Sequence, residues 1–195
     1  MSIAVIIPTI PERAELLTRA VASVTAQTLQ PDEIAIAVAR PDEPAWSTRQ
    51  RALEMVTADW VAPLDDDDEF MPYHLERCAA WQADTGADVV FPWFEVVGGT
   101  DPFPGEFGTP WDPECPRETT TVIFARRTAM VAVGGYRFAD GDRLADGSHR
   151  AGEDSDLTKR LNAGGYRISH LPERTWLWHH HFQNTSGLPE RRRVQ

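Results

Sequence analysis

Through the first ninety residues, short apolar runs alternate with segments whose apolar positions recur every three or four residues. Such alternation predicts an α/β chain, with a mixed, mostly parallel central sheet flanked by helices. Ile3–Ile7 reads as a buried strand stopped by Pro8. Thr9 and Glu12 then have capping-box spacing, and Pro11 suits a first helical turn. Leu16, Ala20, Val21, Val24 and Thr28 continue that helix along one face. Ile34–Val38 is the next strand, closed by a turn at Pro41–Pro44, and Ser47 with Gln50 repeats the capping-box spacing before a helix through Leu53 and Val56. Trp60–Leu64 is a short buried strand, Pro72 opens a helix stopped near Gly86, and Asp88–Val97 is again extended.

The texture then changes. Five prolines and several glycines between Gly98 and Glu118 predict a long irregular loop, a kind of segment that often forms a substrate flap. Thr119–Ala125 resumes as a strand, and a second loop over Arg137–Gly152 leads to a helix over Glu153–Ala163, ended by Gly164 and Gly165. Tyr166–Leu171 and Thr175–His181 read as two closing strands. One domain over 1–183 is expected, followed by a loose tail over 184–195 that carries three consecutive arginines.

Composition narrows the function. The 195 residues hold 30 acids against 19 bases, a formal charge of −11, which argues against the basic face a nucleic-acid binder needs. The N-terminal apolar run lacks the basic flank and length of a signal peptide, and no apolar stretch is long enough for a membrane span. Cys78 and Cys115 make neither a disulfide framework nor a thiolate zinc site. The expected address is therefore cytoplasmic.

Three clusters carry candidate chemistry. Asp65–Glu69 is an uninterrupted acidic run directly after a buried strand, where open α/β sheets bind ligands. Converging carboxylates repel one another unless a cation lies among them, and hard oxygen donors suit Mg²⁺, Mn²⁺ or Ca²⁺. Gly152-Glu153-Asp154-Ser155-Asp156-Leu157 places acids in a first helical turn. Those acids either complement the helix dipole or supply a carboxylate whose charged form is stabilised, ready to act as a base. His179-His180-His181 ends a strand, and alternation puts His179 and His181 on one face; they are packing residues or metal ligands.

Order and spacing together resemble the nucleotide-sugar glycosyltransferases of the GT-A fold, a Rossmann-like architecture, and family 2 in particular. The carriers are Ile3-Ala4-Val5-Ile6-Ile7-Pro8-Thr9 with Arg13, Leu17, Ser23 and Gln27-Thr28; Ser47-Thr48-Arg49-Gln50-Arg51-Ala52; and Ala58 through Asp68, which is similar to the strand that delivers the family's D-x-D motif. Val133-Gly134-Gly135-Tyr136 and the Glu153-Asp154 segment match the later half. Carried over, the resemblance implies a metal site of Asp65 and Asp67 with His179 or His181. It implies a donor-side set of Pro8, Thr9, Arg13, Asp42, Arg49, Asp65 and Asp66, and makes Asp154 the catalytic base. Trp93, Trp111 and Glu153 are the acceptor-side candidates, the first two because they flank or lie in the proline-rich loop. One departure stands out: the family's acid at the end of the second strand is replaced here by Ala39-Arg40, with Asp42 as a substitute.

The expected activity is a Mn²⁺- or Mg²⁺-dependent inverting transfer from a nucleoside-diphosphate sugar to an acceptor hydroxyl. Two rivals differ in kind. A nucleotidyltransferase would carry a Gly- and Lys/Arg-rich phosphate loop after the first strand, and Pro8-Thr9-Ile10-Pro11 is not one. A non-catalytic metal- or sugar-binding module would bind ligand without turning it over.

Overall fold

The computed structural model describes residues 1–116, 119, 121–137 and 152–181. The expected tail over 184–195 and most of the second loop, 138–151, lie outside the described residues. In chain order the elements are β1 (Ile3–Thr9), a 3-10 turn (Pro11–Arg13), α1 (Ala14–Thr25), β2 (Glu33–Val38), α2 (Ala45–Glu54), β3 (Trp60–Pro63) and β4 (Glu69–Phe70). They continue with α3 (His74–Thr85), β5 (Val89–Val97), β6 (Phe124–Arg126), α4 (Arg127–Ala132), α5 (Glu153–Ala163) and β7 (Ile168–His179).

The strands form one sheet in the order β2-β1-β3-β6-β5-β7-β4. β1 pairs in parallel with β2 and β3, and β5 with β7, whereas β6 is antiparallel to both of its neighbours and β4 to β7. It follows that β1, β2, β3, β5 and β7 share one direction and only β4 and β6 oppose it. Their carboxyl ends therefore open on one edge of the sheet, the edge at which such folds hold ligands. Ile3–Ile7 of β1 and all of β3 are buried, as continuous apolar runs in a covered parallel sheet should be.

Several local expectations give way to tertiary contacts. Neither capping box forms. Thr9 stays in β1 and its hydroxyl donates to Asp66, so the first helix begins only after the 3-10 turn. Pro44 precedes α2, and the Ser47 hydroxyl donates to Glu43. The strand expected over Thr119–Ala125 narrows to Phe124–Arg126, and α4 follows it without having been signalled by periodicity. The two closing strands are one, β7, because Pro172 falls in an irregularity of the β5–β7 register between His170 and Arg174, where its missing N–H costs no ladder bond.

Candidate functional site

β1 and β3 run side by side, with the Leu64 N–H donating to Ile6 O at 3.0 Å, so the chain leaving β3 meets the end of β1. There the acidic run folds into a turn, the Asp68 N–H reaching Asp65 O at 3.2 Å. Asp66, Asp67 and Asp68 are all buried, which is no solvated charge run. Asp66 turns toward β1: the Thr9 hydroxyl donates to it at 2.6 Å and the Arg13 guanidinium at 2.9 Å. Arg13 also reaches Asp67 at 3.0 Å, and Arg19 donates to the Asp67 carbonyl oxygen at 2.8 Å.

Asp65, Asp67 and Asp68 each offer an oxygen, and these three atoms lie within 4.8 Å of one another. Burial, with Asp65 next in weight, pushes the Asp67 carboxyl above its ordinary range despite Arg13 and His181. Burial and the charges of Asp65 and Asp67 push Asp68 further up. A set of oxygen donors that repel one another in a buried turn fits a hard divalent cation such as Mg²⁺ or Mn²⁺. Asp68 is the member that sequence reasoning left out. Its signal was available, since Asp66-x-Asp68 repeats the D-x-D spacing one residue on.

The histidines arrive from the end of β7. His181 Nε2 lies 3.1 Å from Asp67 Oδ2, while His179 turns to Glu69 at 2.8 Å and lends its backbone N–H to Asp68 at 2.9 Å. His181, not His179, thus brings its ring to the three-carboxylate cluster. His180 packs edge-on against Trp178.

On the other side, α2 supplies Arg49, buried between two acids. One guanidinium nitrogen pairs with Asp65 and another with Glu153 at the start of α5. Arg49, expected on the donor side, here ties the acidic turn to the acidic helix. Burial pushes Glu153 above the ordinary carboxylate range, with Arg49 opposing it and Asp154 adding to it. Asp154 accepts from the Thr121 hydroxyl at 2.9 Å. Removing Arg49 would leave Asp65 and Glu153, both half-buried, without their cation. Arg49→Met should cost about 1–3 kcal/mol of folding stability, read as a lower urea midpoint without metal; an unchanged midpoint would show the bridge to be unimportant.

The Gly134-Gly135-Tyr136 turn closes this side. Gln50 of α2 accepts the Tyr136 N–H at 2.9 Å, and Arg160 donates to the Gly135 carbonyl oxygen at 2.7 Å. Gly135 has φ +61°, and a Cβ there would lie 2.1 Å from Gln50 Oε1. Gly135→Ala should destabilise the fold by about 1–3 kcal/mol, visible as a lower melting temperature. Equal melting temperatures would count against this tight seat. Arg160 and Gln50, both helical, thus hold the turn that seats the buried Tyr136.

The remaining predicted residues scatter. Pro8 pairs with Ala37 inside the sheet. Asp42 stands exposed at φ 59° in the turn after β2, and its neighbour Glu43 is the acid engaged, by Arg51, Ser47 and the Arg40 N–H. Arg51 of α2 pairs with Glu43 at 2.8 Å. Trp93 is 3% exposed and stacks on Phe94, so it offers almost no wall to an acceptor. Trp111 donates to Asn162 at 3.0 Å, near the carboxyl end of α5 and so away from Glu153 at its amino end. Neither tryptophan is gathered with the acids. The proline-rich loop is pinned rather than free, through Gly108 to His170 at 3.1 Å and Asn162 to Pro113 O at 3.0 Å.

These features define a class before any finer assignment: a GT-A-type sheet with an acidic turn at its ligand edge and an acidic helix start facing it. The model of glycosyl transferase family 2 matches residues 47–144, about half of the chain, and the chain belongs to that family. Its fold is similar to that of S. aureus TarS, at a TM-score of 0.70 and 18% identity over 92% of this chain and 37% of that one. TarS 1–349 in complex with UDP-GlcNAc gives 0.73 and 16%, covering 96% of this chain and 62% of that one. The same fragment with UDP gives 0.66 and 16%, covering 92% and 61%. The chain spans less than two thirds of these relatives' lengths. No curated protein sequence matches it significantly. Among the described residues no helix is long and apolar enough to cross a membrane.

Proposed function

We propose that this chain is a metal-dependent, inverting glycosyltransferase that moves a sugar from a nucleoside-diphosphate donor to an acceptor hydroxyl. The observation that carries this reading is the meeting of Asp65, Asp67 and Asp68 with the Glu153–Asp154 helix start through the single guanidinium of Arg49. Asp65, Asp67, Asp68 and His181 are the residues that would hold Mn²⁺ or Mg²⁺. Bound there, the ion supplies charge neutralisation for a diphosphate leaving group.

Every other part falls to the chain. Thr9 and Arg13 fix Asp66 beside the carboxyl end of β1, the edge on which the nucleotide would lie. Asp154 accepts the proton of the acceptor hydroxyl as that oxygen bonds to the anomeric carbon. The bond from that carbon to the diphosphate oxygen breaks on the opposite face, and the nucleoside diphosphate leaves with the bonding pair.

UDP-GlcNAc is the first donor to test, because TarS, which shares the fold, is found in complex with it. Incubation with UDP-GlcNAc and Mn²⁺, using water as acceptor, should release UDP together with the β anomer of the free sugar, followed by proton NMR before mutarotation. Initial release of the α anomer would overturn inversion. No turnover of any common nucleotide sugar would overturn the donor reading.

A further inference from the structure

The segment before β6 has no predicted chemistry, yet two of its hydroxyls clip onto the first turns of α5. Thr119 Oγ1 lies 2.7 Å from Thr158 Oγ1, and Thr158 in turn donates to the Asp154 carbonyl oxygen at 3.1 Å. Thr121 instead touches the acid itself, donating to Asp154 Oδ2 at 2.9 Å. The other oxygen, Oδ1, rests against Gly152, where a Cβ would come within 3.0 Å of it. One carboxylate oxygen is therefore held by a hydroxyl, and the second lies close beside the backbone of Gly152, where a side chain would crowd it.

We propose that Thr121 is a positioning residue for the reaction: its hydroxyl fixes the rotamer of Asp154, leaving Oδ1 to receive the acceptor proton. This rests on the reading of Asp154 as the base. Asp154 also sits among other polar groups: the carboxylate of Glu153 on its own helix, the guanidinium of Arg49 from α2 and the neutral phenol of Tyr136. The Thr121 bond is a neutral donor's contact to a carboxylate oxygen. Its loss changes no net charge, which separates its effect from theirs. A bond that orients the base acts on turnover rather than on donor binding.

The test is Thr121→Val, which keeps shape and removes the donor, measured beside Thr121→Ser and Thr119→Val with UDP-GlcNAc and Mn²⁺. Thr121→Val should lower kcat about tenfold, the usual weight of a hydrogen bond to a charged group. KM for UDP-GlcNAc should stay unchanged, the split expected of a group that orients the base without holding the donor. Thr121→Ser should restore kcat. Thr119→Val, which loses a neighbouring hydroxyl that does not touch the carboxylate, should leave kcat near wild type. A Thr121→Val enzyme with wild-type kcat, or a serine variant as impaired as valine, overturns the proposal, as does a loss of equal size in Thr119→Val. If Thr121→Val does not fold, Thr121→Ser and Thr121→Cys still grade the donor strength, and wild-type kcat in both overturns it. Loss of turnover in Asp154→Asn combined with wild-type kcat in Thr121→Val would sink this inference alone. An active Asp154→Asn would sink the base reading beneath it.

Discussion

Asp154→Asn should lower turnover by about 10²–10⁴-fold, the weight usually carried by a positioned general base. The amide is nearly isosteric with the carboxylate and can still accept from Thr121 through its oxygen, so the geometry at the start of α5 survives. What disappears is the ability to take a proton. UDP affinity, governed by the turn after β3 on the other side of Arg49, should be essentially unchanged. The cost in stability should be small, about 0.3–1 kcal/mol, for one anion lost from the first turn of a helix. Glu153→Gln makes the necessary comparison. Its carboxylate is committed to Arg49, so that variant should lose stability before it loses chemistry. Steady-state kinetics with UDP-GlcNAc, UDP binding by calorimetry and melting temperature together decide the point. Equal loss of binding and turnover in Asp154→Asn would make Asp154 a helix-start residue and nothing more. Loss of chemistry confined to Glu153→Gln would hand the base role to its neighbour.

Much of this arrangement was legible in the sequence, and the failures have physical causes. Continuous apolar runs at Ile3–Ile7 and Trp60–Leu64 fixed the two inner parallel strands, because burial on both faces leaves little else that such a run can do. The acidic run stands out as a candidate site because it follows one of them. Local signals failed where a long-range partner outbid them. The Thr9 hydroxyl, 57 residues from Asp66 in the chain, prefers that carboxylate to a helix cap. Nothing local to Arg49 reveals that Glu153, 104 residues later, will face it. Aromatic composition suggested an acceptor wall, but Trp93 faces the core and Trp111 belongs to the far end of α5. Thr121 gave no signal at all. A lone threonine acquires a role only through the fold that brings it to Asp154.

Mn²⁺ and UDP together should raise the melting temperature by more than the sum of either alone. At about 100 times the dissociation constant the gain should reach about 5–10 °C. The reasoning starts from repulsion. Asp67 and Asp68 are held above their ordinary carboxyl range by burial and by Asp65, so the metal-free fold binds protons more tightly than the unfolded chain does. The sign follows by linkage: this part of the stability is present below the unfolded carboxyl value and is lost as pH rises through the raised folded values. A divalent ion takes the place of those protons at neutral pH, and a diphosphate then finds a cation instead of three acids. Lowering the pH should shrink the Mn²⁺–UDP gain while Asp residues elsewhere are still ionised, because protons compete for the same oxygens. Two substitutions sharpen the test. Asp67→Asn should remove the synergy, since Asp67 also meets His181 and Arg13. Asp68→Asn should raise the metal-free melting temperature, by relieving a buried repelled charge while its amide oxygen still accepts the His179 N–H, and should weaken the synergy in the same molecule. Opposite signs with and without metal are hard to obtain from a merely structural acid. Full synergy in Asp67→Asn, or a less stable metal-free Asp68→Asn whose response to Mn²⁺ is intact, would remove the turn from the metal site.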